Sequence, residues 1–314
     1  MGNITKLFNI KYPVVSGGMV WCSGWRLASA VSNEGGLGLI GAGSMHPETL
    51  REHIQKTKNA TDKPFGVNVP LLYPEPEKIM DIIVSEGVKI VFTSAGSPKK
   101  WIPFLHEHGI VVAHVVSSAI FAKKSEDAGV DVIVAEGFEA GGHEGREETT
   151  TMNLIPSVRK SVTIPVLAAG GIASGNQMLA AMALGADGVQ IGSLFAASEE
   201  SSAHSDFKKR IVDTDEGGTK LMLKQLAPVR LIKNNFYQQV EEAEKRGAAV
   251  DELKALLGRG RAKKGMFEGD MEEGELEIGQ CASLIDEIKP VSEIVKKLIE
   301  EFNQSLDKVL LKRC

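Results

Sequence analysis

Between residues 13 and 194, eight short apolar runs alternate with segments of helical period, and no other feature of the chain restricts its fold as strongly. The runs are 13–19, 36–42, 64–71, 90–96, 111–118, 132–137, 165–171 and 188–194. Each is almost wholly apolar instead of alternating, as expected for strands of a parallel sheet buried on both faces. Helix-like stretches at 48–58, 75–86, 119–128 and 177–184 fall between them. Eight such units in about 180 residues predict a TIM (β/α)8 barrel. A doubly wound open sheet is the competing arrangement, but the absence of a long crossover favours closure.

Beyond the eighth run the pattern changes. Residues 198–280 carry helical and charged segments, notably 236–246 and 250–257, with no further convincing strand-helix unit. They are expected to form a helical insertion. Residues 288–311 read as a last amphipathic helix with Val291, Ile294, Val295, Leu298 and Ile299 on one stripe, completing the barrel. The expected organisation is a barrel over 1–200, a helical lid subdomain over 201–282 and the closing helix over 283–314.

Composition narrows the class. Hydrophobic residues at 43% and charged residues at 25% are ordinary globular values. No apolar run reaches the length of a membrane span, and Met1–Lys6 lacks the layout of a secretory signal, so a cytoplasmic protein without a membrane partner is expected. Cys22, Cys281 and Cys314 lie far apart and are odd in number, which predicts reduced thiols. A net charge of −5 with mixed signs offers no footprint for nucleic acid. The basic stretch from Arg259 to Lys264 is flanked by the acidic run 268–277, which weakens any attraction for an anionic partner.

The active site of such a barrel lies at the C-terminal ends of its strands. Those ends are rich in glycine and polar residues: Ser16-Gly17-Gly18-Met19, Asn68, Glu136-Gly137, Gly170-Gly171 and Gly192-Ser193. The loops after strands seven and eight are where this fold builds a phosphate cradle, because backbone N–H groups must approach an anion closely there. Gly171, Gly192 and Ser193 stand at those strands. After strand six, four glycines surround one histidine in Glu136-Gly137-Phe138-Glu139-Ala140-Gly141-Gly142-His143-Glu144-Gly145. Histidine is the side chain best poised for proton transfer near neutral pH, so His143 is the expected catalytic residue. Glu136, ending a buried strand, requires a partner or a neutralised charge. His114, in strand five, is either a hydrogen-bonded core residue or part of the pocket, and His204 just past strand eight is a lesser candidate. His46, His53, His106 and His108 fall on helices or their caps. Trp21 and Trp25 either wall a pocket or pack as core. No histidine pair with a carboxylate has metal-ligand spacing, so no catalytic metal is expected.

These residues carry a resemblance that runs over nearly the whole chain. Pro13-Val14-Val15-Ser16-Gly17-Gly18-Met19-Val20-Trp21, Lys63-Pro64-Phe65-Gly66-Val67-Asn68, Ala135 to His143, Ala168-Ala169-Gly170-Gly171-Ile172, Leu184 to Gly192 and Ile278-Gly279-Gln280 resemble the FMN-dependent family of nitronate monooxygenases (2-nitropropane dioxygenases) and flavin-type enoyl-acyl-carrier-protein reductases, type II. The Gly-Gly-His loop is specific to that family, whereas Ala-Gly-Gly-Ile and Gly-Ala-Asp are shared with other phosphate-binding barrels. The resemblance implies FMN over the barrel mouth, with its phosphate on Gly171, Gly192 and Ser193 and its ring near Gly18, Met19, Asn68 and Gly142. Glu136 joins the same cofactor-binding set, and His143 matches the family's catalytic histidine.

The two activities share fold, cofactor and histidine loop. Gly17-Gly18-Met19-Val20-Trp21 and Pro228-Val229-Arg230-Leu231-Ile232-Lys233-Asn234 lean toward the reductase, while Ser16 in place of a common glutamine and Ser193 in place of a frequent threonine depart from it. A reductase implies NADH or NADPH as co-substrate and an acyl-carrier-bound or small-molecule enoyl thioester in fatty acid synthesis; a monooxygenase implies an alkyl nitronate and oxygen. A homodimer is the expected assembly. An inosine-monophosphate-dehydrogenase-like barrel would need a cysteine after strand six, and 137–152 contains none. A non-enzymatic phosphate-ligand sensor would predict a colourless protein indifferent to His143→Ala.

Overall fold

The computed structural model describes residues 3–311; Met1, Gly2 and residues 312–314, including Cys314, lie outside the described residues. Eight parallel strands form one sheet: β1 (Val14–Ser16), β2 (Gly38–Gly41), β3 (Phe65–Pro70), β4 (Ile90–Ser94), β5 (Val111–Val116), β6 (Val132–Glu136), β7 (Val166–Ala169) and β8 (Gly188–Ile191). Consecutive strands pair in parallel from β2 through β8, and β8 returns to β1 with Val14 opposite Val189. The remaining seam closes through a parallel bridge between Val15 and Leu37. There the Ser16 amide donates to the Leu37 carbonyl at 3.0 Å, and the Ser16 hydroxyl accepts from the Leu39 amide at 3.0 Å. The eight runs of the sequence are therefore the eight staves of a TIM barrel.

Both strand faces are buried, which explains the unbroken apolar runs. Val15, Leu39, Phe92, Val134 and Leu167 pack with one another inside the barrel, while their chain neighbours Val14, Ile40, Val91, Ile133 and Val166 pack against the surrounding helices. The short N-terminal helix Asn3–Phe8 plugs the floor of the barrel, placing Ile4 and Phe8 in the interior cluster and Phe8 5.9 Å from the Phe92 ring. The C-terminal helix Val291–Leu310 buries Val291, Ile294, Val295 and Leu298. It packs closely on helix Gly175–Ala183: the Gly175 amide donates to Glu301 at 2.9 Å, and a side chain at Gly175 would overlap the Phe302 backbone.

The insertion differs from the all-helical reading. Helices Ser205–Val212, Asn235–Lys245 and Val250–Leu257 are present, but two antiparallel strands, Thr219–Met222 and Val229–Ile232, lie between the first two. The second strand also pairs with Gly142–His143. Four-residue strands, of which only Val229–Ile232 is buried throughout, lack a periodic signature long enough to read, and the second gains a partner remote in sequence. The hairpin and helix Asn235–Lys245 share a small core of their own containing Leu223, Leu231, Phe236 and Val240. The Arg259–Lys264 stretch serves this unit internally. Arg261 donates to Leu257 and Glu273 carbonyls and lies 4.4 Å from the Phe236 ring, while Lys263 pairs with Glu268 and Lys264 with Asp270.

Among the described residues no helix is long and apolar enough to cross a membrane. Cys22 and Cys281 are buried free thiols, and burial pushes Cys22 up to about 12. Removing the floor plug tests the barrel core: Phe8→Ala is expected to cost about 3–5 kcal/mol, the range for emptying a buried aromatic site, read as a lowered midpoint in thermal or denaturant unfolding.

Candidate active site

At the C-terminal rim of the barrel lies a cavity of about 850 Å³, within the size range of small-molecule and cofactor sites. Gly18, Met19, Asn68, Glu136, Gly142, His143, Gly171, Gly192 and Ser193, scattered across the chain, all line it. His114 lines it as well, whereas His204 does not: its Nδ1 accepts from the Asp206 amide at 3.2 Å and caps helix Ser205–Val212. Trp21 packs on Phe267 at 5.6 Å, against the insertion core. The Trp25 amide donates to His53 Nδ1 at 3.1 Å, also away from the cavity lining.

The glycines at the rim exist because backbone and side chains crowd together there. A Cβ on Gly18 would stand 2.1 Å from Asn68 Cβ, and Asn68 Nδ2 donates to the Gly18 carbonyl at 3.0 Å. The strand-one loop and β3 thereby hold one another in register across the mouth. After β7, Gly170 and Gly171 take φ of 91° and 73°, values that only glycine adopts freely. Gly192 precedes the short helix Ser193–Ala196, so the two glycine turns face one cavity from adjacent strands.

The histidine loop is held rigidly instead of hanging free. Gly142 and His143 pair with Arg230 and Val229 of the insertion, and the Glu144 amide donates to the Pro228 carbonyl at 2.9 Å. Arg230, only 2% exposed, donates from Nη2 to the Phe138 carbonyl at 2.8 Å and lies 4.5 Å from the Phe138 ring. Glu139 accepts from the Thr151 amide at 2.8 Å, fixing the other side of the loop. The insertion also grips the turn after β8 and the histidine loop: Ser193 Oγ accepts from the Gly279 amide at 3.0 Å, and the Gln280 amide donates to the Glu139 carbonyl at 2.9 Å. His143 itself is exposed to the cavity mouth.

Electrostatically the mouth is unusual for carboxyls whose affinity for protons is raised by burial. Burial pushes Glu136 and Glu144 well above the usual carboxylate range, and Glu136 raises Glu144 further while the Arg230 guanidinium opposes it. Both carboxyl oxygens of Glu144 and the amide oxygen of Gln190 are buried without a hydrogen-bond partner. Burial thus moves Glu136 toward its neutral form. Glu275 and Glu277 of the insertion are likewise driven up by burial. Glu144, Gln190, Glu275 and Glu277 escaped sequence reasoning, because the signal that sets them apart is desolvation, which has no sequence periodicity.

His114 settles both of its alternatives at once, since it lines the cavity and sits 5% exposed with Nδ1 2.8 Å from the Thr93 hydroxyl. Burial disfavours its imidazolium and lowers it from 6.5 to about 4. The unfolded chain then binds a proton below pH 6.5 that the folded chain refuses until about pH 4. His114 therefore contributes stability that is complete above pH 6.5 and drains away as the pH falls toward 4. His114→Gln is expected to remove on the order of 3 kcal/mol of that acid-side loss, seen as a flatter dependence of melting temperature on pH between 6.5 and 4 than in the parent.

Comparison with known proteins agrees with this geometry. Residues 2–81 and 76–301 match the family model of nitronate monooxygenase. The solved structure of FabK from Thermotoga maritima superposes with a TM-score of 0.94 at 41% identity, over 98% of both chains. A (3aS,4S,5R,7aS)-5-hydroxy-7a-methyl-1-oxo-octahydro-1H-indene-4-carboxyl-CoA dehydrogenase from Mycobacterium tuberculosis is 30% identical over 94% of each chain. A probable nitronate monooxygenase from Staphylococcus saprophyticus is 33% identical over 76% of this chain and 80% of its own. With the family model spanning nearly the whole barrel and insertion, the chain belongs to the nitronate monooxygenase family and is an oxidoreductase.

Proposed function

We propose that this oxidoreductase is an FMN-dependent enoyl thioester reductase, drawing its reducing equivalents from NADH or NADPH and acting on acyl-carrier-bound or related thioesters. The observation that carries the reading is the 41% identity to FabK, an enoyl-acyl-carrier-protein reductase II, maintained over 98% of both chains. The dehydrogenase from Mycobacterium tuberculosis, whose substrate is a carboxyl-CoA, adds a second relative that handles a thioester. A nitronate monooxygenase is the second reading, favoured by the family model and by the staphylococcal relative.

The residues at the mouth fit FMN. Gln190 Oε1 is a buried acceptor lacking a partner, which a bound N–H donor would satisfy. Gly171 and Gly192 leave the turns after β7 and β8 bare of side chains, where with Ser193 they would hold a phosphate. Gly18, Met19, Asn68 and Gly142 would hold the ring, with Glu136 beneath the same mouth. When bound, FMN supplies reversible hydride chemistry.

The chain supplies the rest. Charge develops on the thioester oxygen as the double bond is reduced, and stabilising that oxygen is the main catalytic requirement. His143 would donate a hydrogen bond or proton to it from the mouth. Arg230 and Glu139 hold the loop that carries the imidazole, so its approach is fixed before substrate arrives. The insertion, docked through Gly279 and Gln280, roofs the cavity and restricts water.

Anaerobic mixing decides between the two readings. The purified protein is expected to be yellow, to bleach rapidly with NADH or NADPH, and to regain colour with crotonyl thioester. Bleaching by propionate-3-nitronate alone, with both nicotinamides inert, would select the monooxygenase. His143→Ala is expected to keep the flavin spectrum and slow recolouring by about 10²–10⁴-fold, the usual range for loss of a general acid. Gly18→Ala, whose new methyl must displace Asn68, is expected to release the flavin during desalting, measured as the ratio of visible to ultraviolet absorbance.

A further inference from the structure

The cavity wall beside the histidine loop carries a carboxyl group that the preceding mechanism leaves unused. Glu277 belongs to the insertion, where its backbone bridges Leu231 in antiparallel fashion on the strand that also pairs with Gly142 and His143. It therefore follows the histidine segment along one strand edge. Its side chain lines the same cavity as His143, Gly18 and Asn68, and a Cβ added to Gly142 would stand 2.8 Å from Glu277 Oε2. Only glycine at 142, with φ of 81°, leaves the carboxyl this room.

The surroundings leave this carboxyl available and raise it above the usual carboxylate range. Among the described residues it has no ion-pair or hydrogen-bond partner, and burial is what raises it above the usual carboxylate range. Glu275, 7% exposed and two residues earlier, is raised by burial and by Glu277, and is opposed by His143 and Arg261. Tyr73 from the loop after β3 and Cys22 from the loop after β1 face Glu277 as well, and both are raised chiefly by burial and further by Glu277. Lys208 acts on Cys22 in the opposite direction. A carboxyl with a raised affinity for its proton, set in the cavity wall next to the segment carrying His143, has the chemistry of a general acid.

We propose that Glu277 is a proton-transfer residue of this enzyme, serving the carbon α to the thioester while His143 serves the carbonyl oxygen. The inference rests on the reductase reading. Once a hydride equivalent, drawn from the reduced nicotinamide, is added at the β-carbon, the electron pair of the double bond moves into an enolate. The O–H bond of Glu277 then breaks, its proton forms the new C–H bond at the α-carbon with the enolate pair, and the thioester C=O is restored. The carboxylate left behind is restored by one proton from the solvent, the proton of the overall sum. One enoyl thioester, one reduced nicotinamide and one proton become one saturated thioester and one oxidised nicotinamide.

The test uses the flavin-loaded full chain, as the parent, Glu277→Gln and Glu277→Asp, with the two half-reactions followed separately without oxygen. Glu277→Gln is expected to bleach with nicotinamide within twofold of the parent rate and to recolour with crotonyl thioester about 10²–10⁴-fold more slowly. With a 2-methyl-enoyl thioester, the parent is expected to yield one configuration at the α-carbon and Glu277→Gln a mixture, a change that a merely structural role would not produce. Glu277→Asp, which retains a carboxyl, is expected to recover the single configuration. Apart from turnover, carboxyl carbon-13 NMR of glutamate-labelled protein is expected to show a resonance titrating above the usual carboxylate range that Glu277→Gln removes. Unchanged recolouring and configuration in Glu277→Gln would overturn the inference alone. A parent that no enoyl thioester recolours would overturn the reductase reading and this inference with it. Should Glu277→Gln lose its flavin, Glu277→Asp decides: a mixed configuration would overturn the inference, and a single one at reduced rate would support it.

Discussion

Closure of the sheet at its shortest strand is the constraint on which the remaining architecture depends. β1 has three residues, yet it must hold β8 on one side and β2 on the other. It meets β2 through one bridge and a side-chain bond from Ser16, a residue fully buried for that purpose. With the ring closed, all eight parallel strands end on one rim, and loops far apart in sequence become neighbours. Asn68 can hold Gly18 only because the sheet returns on itself and sets the loop after β1 beside β2 and β3. The departure from glutamine at position 16 acquires a physical meaning in this setting: the serine hydroxyl is committed to the seam.

The insertion is the second half of the site. It contributes the strand that pairs with His143, the guanidinium that holds Phe138, and the amide that engages Ser193. Each contact spends polar groups of the insertion on loops of the barrel, so roof and mouth form one polar network. The cost of such a roof is desolvation, visible in three carboxyl groups of one cavity, Glu136, Glu144 and Glu277, pushed toward their neutral forms. Buried carboxyls that form no ion pair contribute little as structural glue. Their concentration at the mouth follows the general association of perturbed titration with chemistry. His114 shows the same physics with the opposite charge, since burial there disfavours the protonated imidazole.

How much of this was legible varied with the kind of signal. The eight strands were readable because burial on both faces writes an apolar run into each, and the closing helix because its stripe repeats at helical spacing. The hairpin of the insertion was not: Thr219–Met222 and Val229–Ile232 are too short for a period, and one pairs with a loop of the barrel. The acidic run beside Arg259–Lys264 already weakened the reading of that stretch as an anion-attracting patch, and Arg261, Lys263 and Lys264 are matched within the insertion itself.

The sequence by itself determined the number and order of the staves, the glycine-bearing ends of the last two, and the single histidine set among four glycines. These are local properties, set by which residues stand next to one another. Tertiary structure alone decided that His143 is clamped in a sheet, that Gln190 and Glu144 are stranded without partners, and that Glu277 lies against Gly142. Pairing across the fold and exclusion of water depend on what surrounds a group in space, and linear order does not specify those surroundings.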